Sequence, residues 1–76
     1  MKIFIQNVHP AYIEVTVNDS LTKEFVIDFY VVEYDMHLSR KNVLSGKTIL
    51  GPEHSDIADM AKVIRKSIQK QLDAKD

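Results

Sequence analysis

Apolar and polar residues alternate along most of the first fifty positions, then change period. Lys2 to Val8 is rich in strand formers, with Ile3 and Ile5 on one side and Phe4 and Gln6 on the other. Asn7 and the pair His9-Pro10 interrupt this run. Proline donates nothing to a ladder, so Pro10 predicts a bend, a bulge or an edge. Tyr12 to Val17 alternates again, with Ile13, Val15 and Val17 expected inward and Tyr12, Glu14 and Thr16 outward. Asn18-Asp19-Ser20 supplies turn chemistry, since short polar side chains tolerate left-handed backbone, and a hairpin is expected there.

Lys23 to Leu38 carries two apolar parities. Phe25, Ile27, Phe29 and Val31 are odd; Val26, Tyr30, Val32, Tyr34, Met36 and Leu38 are even, interrupted by Asp28. From Glu33 the odd positions turn polar (Glu33, Asp35, His37). A half-exposed strand needs only one apolar face, so this is either a central strand bent by a bulge or one whose halves pack against different things. Ser39-Arg40-Lys41-Asn42 reads as a turn and Val43 to Leu50 as a weaker returning strand, with Gly46 at a bulge or bend. Gly51-Pro52 breaks it.

The period then becomes helical. Ile57, Met60, Ala61, Ile64, Ile68 and Leu72 recur at three- and four-residue steps, an arc suited to covering one sheet face, while Val63 falls outside it. Ser55 is the expected N-cap, with Asp56 and Asp59 in the first turn. The expected architecture is a single α+β domain over residues 1–76. It comprises an antiparallel sheet of three to four strands (residues 1–50) and one C-terminal amphipathic helix (residues 53–73), in the order βββ(β)α. Many unrelated small domains share that order, so it singles out no family.

Composition narrows the picture. At 76 residues the chain has room for one core, and such a chain buries only about 60% of its unfolded surface. Cysteine is absent, which removes disulfides and thiolate metal sites together and leaves close packing or a partner as reinforcement. No apolar run approaches the roughly 20 residues that span a bilayer, and the N-terminus turns polar too early for a signal-peptide core. No membrane association is expected, and a cytoplasmic location is the default. The net charge of −1 hides a polarity: residues 1–60 carry nine acids and five bases, residues 61–76 five bases and two acids. Acids favour a helix N-terminus and bases its C-terminus, which accounts for part of this.

Candidate chemistry is sparse. Ser45-Gly46-Lys47-Thr48 has the letters that end a phosphate-binding loop, but that loop needs a glycine at position 41, where Lys41 stands, and a helix after Thr48, which Gly51-Pro52 forbids. Glu33, Asp35 and His37 are legitimate ligand types, yet one extended strand rarely converges three ligands on an ion, so a solvated strand face accounts for them. His54-Ser55-Asp56 contains the letters of a hydrolase triad, which consecutive residues cannot assemble. His9, before a proline in a loop, is expected to be exposed. No enzyme activity, metal or cofactor is expected.

One helix can cover only one side of a sheet. The even-numbered face of Lys23–Leu38, together with Tyr12, is expected to be the uncovered one, and it is too apolar for water. The reading is therefore a non-enzymatic protein–protein interaction module, a small inhibitor or regulator. It would bind a protein or a second copy of itself through Tyr12, Tyr30, Val32, Tyr34 and Met36. The alternative is binding of nucleic acid or an acidic partner through Lys62, Arg65, Lys66 and Lys70, supported by Arg40, Lys41 and Lys47.

Overall fold

The strand-forming runs on either side of Pro10 join into one strand. In a computed structural model, which describes residues 1–17 and 22–73, β1 runs Lys2–Thr16 without a break. The sheet order is β1-β2-β3, so β1 is an edge. Pro10 sits opposite Tyr30 and is tolerated because an edge strand has positions whose amides face away from the ladder. The irregularity expected at His9-Pro10 falls earlier, as a register shift between Ile5 and Asn7 that leaves Gln6 as the extra residue.

β2 (Lys23–His37) is the central strand, antiparallel to β1 along its whole length. The hairpin is closed by Val17 donating its amide to the Thr22 carbonyl at 3.2 Å. The turn expected at Asn18-Asp19-Ser20 lies outside the described residues. A second register shift pairs Ala11 with Phe29 but Tyr12 with Ile27, so Asp28 is the extra residue on β2. This is the bulge that the double parity called for. It also regroups the side chains: Phe25 and Ile27 end up on the opposite face from Phe29 and Val31, and Val26 on the same face as them.

β3 (Val43–Leu50) returns along His37–Tyr30 without a register shift. Leu38 donates to the Asn42 carbonyl at 2.9 Å, which closes the expected turn. Gly46 therefore marks no bulge. It lies opposite Tyr34, and a Cβ there would meet Tyr34 Cζ at 2.5 Å. The glycine leaves room for the tyrosine ring to lie across the neighbouring strand.

α1 (Ile57–Asp73) begins four residues later than expected. The Asp56 carbonyl accepts the first helical amide bond, from Met60 at 2.9 Å, so Asp56 rather than Ser55 holds the N-cap position. Met60 and Ile64 bury themselves with Val32 and Leu50, each contributing about 2 kcal/mol by leaving water. Ile3, Ile5, Val8, Tyr30 and Tyr34 pack around them, as do Val63 and Ile68 from the helix. Val63 thus belongs to the covering stripe, while Ile57 and Leu72, near the two ends, are exposed.

The core defines two faces. The helix covers the face bearing Ile3, Ile5, Val8, Tyr30, Val32 and Tyr34. By strand alternation and register, the open face bears Phe4, His9, Glu33, Asp35, His37, Ser45 and Lys47. This reverses the sequence expectation: the even-numbered face of β2 is the covered one. The reason is the polar run of Glu33, Asp35 and His37, which belongs in water and turns Val32 and Tyr34 toward the helix. β3 extends the sheet beside β2.

β3 reaches β2 only from Tyr30 onward. The stretch Lys23–Phe29 and its β1 partners therefore project as a two-stranded arm of six residue pairs, roughly 20 Å long at about 3.3 Å per residue. The molecule measures 54 × 26 × 16 Å with a radius of gyration of 16.3 Å, against about 11 Å for a compact chain of this length.

Candidate functional site

The arm concentrates the apolar side chains that the helix does not reach. On its helix-side face the register sets Tyr12 beside Ile27 and Glu14 beside Phe25. Phe25 is 70% exposed and Tyr12 58%. On its open face Ile13 stands beside Val26, and Ala11 beside Phe29, followed toward the body by Val31 and Ile49. Ile13, Val26 and Ile49 are exposed too. Near the tip Lys23 Nζ approaches Glu14 Oε1 at 3.4 Å, a surface pair of little energetic weight.

The open face of the body is built differently. His9 Nε2 lies 3.4 Å from Glu33 Oε2, and the Ser45 hydroxyl donates to Asp35 Oδ1 at 2.9 Å. The His37 ring meets Phe4 edge-on, with centroids 4.6 Å apart. Hydrogen bonds from His9 and then Asn7 hold the Glu33 carboxyl below its ordinary pKa of 4.5, Lys47 adds a weaker attraction, and partial desolvation opposes them. Glu33, Asp35 and His37 thus each have a separate partner. Among the described residues no three His, Asp or Glu side chains are grouped to hold a metal ion.

Ser45-Gly46-Lys47-Thr48 lies within β3, with no helix after it to offer amides to a phosphate. His54 is engaged by carboxylates: Nδ1 lies 2.7 Å from Asp59 Oδ2 and Nε2 3.5 Å from Glu53 Oε1. This fastens the loop before α1 to its first turn.

The expected partner residues are scattered by the structure. Val32 is fully buried, and Tyr30 and Tyr34 are half-buried against the core, so these three sit beneath the helix and not on an open face. Met36 shares their face. Tyr12 alone stands exposed, on the arm. Sequence reasoning placed Val26 on an uncovered face, where it lies, but expected Ile13 inward and missed Phe25 and Ile49. A signal existed in Phe25-Val26-Ile27, three successive apolar residues, which put greasy surface on both faces of any strand.

Lys62, Arg65, Lys66 and Lys70 are exposed on α1, as expected. Lys62 and Arg65 line a shallow groove together with Lys2 and Phe4 from the start of β1. Lys47 lies on the open sheet face, away from the helix, and does not extend this stripe. No helix among the described residues is long and apolar enough to cross a membrane. Comparison with family models, curated proteins and solved structures returns no match.

Proposed function

We propose that this chain is a non-enzymatic protein-interaction domain, a small inhibitor or regulator that binds another polypeptide through its projecting β-arm. The observation that carries this reading is the exposure of Phe25 and Tyr12 at 70% and 58% on a ribbon whose side chains there no other described element covers. A two-stranded ribbon is marginal in water by itself, and apolar side chains on both of its faces make it more so. A partner supplies the missing layer.

Incorporating a photo-crosslinking phenylalanine analogue at Phe25, with one at Gln69 on the outer helix face as control, tests this in native extract. A discrete crosslinked species from position 25, absent from position 69, is expected. Absence of any crosslink from position 25 contradicts the reading.

A second reading draws on the groove where Lys2 joins Lys62 and Arg65. Clustered basic side chains suit the phosphates of a nucleic-acid strand. Its affinity should fall steeply with salt as phosphates release counterions, and no binding at low salt would dispose of it.

A further inference from the structure

We infer that the polypeptide covering the arm is a second copy of this chain, with the helix-side faces of the two arms packed against each other between the two helices. The inference rests on the interaction reading above and names its partner. Three observations lead to it.

The first is area. The chain exposes 6030 Å², whereas a folded monomer of 8.7 kDa exposes about 4700 Å². The surplus, roughly 1300 Å², exceeds the about 800 Å² per partner that a stable dimer buries. The second is continuity. Tyr12, Ile27 and Phe25 lie on the same sheet face as Val32, Tyr30 and Val8, so they prolong the core beyond the point where the helix stops. A helix and a second sheet both pack about 10 Å from a sheet, so an arm can take the place of a helix in the same layer. Two arms laid antiparallel fill each other's vacant half of that layer, and a two-fold axis makes the contact self-complementary. The third is that edge pairing along the arm is obstructed. β1 carries Pro10 and the bulge at Gln6, and the free edge of β2 carries the bulge and charge of Asp28. Those devices discourage strand addition and leave the faces for association. With a net charge of −1, two copies meet without strong repulsion.

The test is sedimentation equilibrium of the intact chain over a wide concentration range, on wild type, Phe25→Asp, Tyr12→Asp and, as an open-face control, Ile49→Asp. Circular dichroism checks that each is folded. Wild type and Ile49→Asp should sediment at twice 8.7 kDa. Phe25→Asp and Tyr12→Asp should stay folded and raise the dissociation constant by about thirtyfold or more, the size of an interface hot spot. A dimer lost in Ile49→Asp but kept in Phe25→Asp overturns the inference, since the copies would then meet through the open face. If the variants fail to fold, wild-type mass alone decides, and a monomer at millimolar concentration overturns self-association. In that event binding of an anilinonaphthalene dye separates the two readings. A monomer that binds the dye keeps the arm as a surface for a different protein; one that does not loses the interaction reading as well.

Discussion

At the residue scale, two positions show how single side chains set the local structure. Gly46 has no side chain because the Tyr34 ring occupies the space where a Cβ would stand. Gly46→Ala should therefore destabilise the fold by about 1 kcal/mol, since overpacking outweighs the gain from lost glycine flexibility. In a Tyr34→Ala background the same change should be neutral or stabilising; urea unfolding of the four proteins checks this, and a penalty of equal size in both backgrounds contradicts it. Glu33 is the second position. Its folded pKa is lowered, so its contribution to stability is present above pH 4.5 and is lost as the pH falls below that value toward the folded pKa. Carboxyl NMR titration should place Glu33 below 4.5 in wild type and higher in His9→Ala, which removes the largest cause. An unmoved midpoint in His9→Ala would show that another group holds the proton off.

At the element scale, stability is divided unevenly. Val32, Leu50, Met60 and Ile64 are the buried core, and two of the four come from α1. Ile64→Ala should cost about 2–4 kcal/mol, a large share of the stability of a domain this small, and a loss below 1 kcal/mol would mean the helix is not the main cover. The arm has no such core. Its Lys23–Phe29 amides should exchange quickly at low protein concentration and slowly at high concentration, while those of Tyr30–His37, flanked by two strands, stay protected throughout. Exchange in Lys23–Phe29 that is indifferent to concentration speaks against self-association. The helix, the antiparallel pairing and the β3 return were legible because each depends on a local period. Two things were not legible. Pro10 left a bend, a bulge and an edge open because the sequence does not say which strand is outermost; the edge is what the structure shows. The open face looked like the even one throughout because the Asp28 bulge, which exchanges the faces of Phe25, Val26 and Ile27, shifts alternation without leaving a mark in composition. The candidate site failed with it: Tyr30, Val32 and Tyr34 went under the helix, and only Tyr12 stayed outside.

At the scale of the whole molecule, the shape is the argument. A hairpin of two 15-residue strands runs the length of a 54 Å particle, and a 17-residue helix, about 25 Å long, covers about half of it. The other half is apolar on both faces. The central claim is that the helix-side face of this half meets its own kind. Isotope-filtered NMR on a mixture of labelled and unlabelled chains tests it most directly. The account expects intermolecular contacts from the Ile27 methyls of one chain to the Phe25 and Tyr12 rings of the other. Intermolecular contacts confined to Ile49 and Val31, or none at all at millimolar concentration, would contradict it.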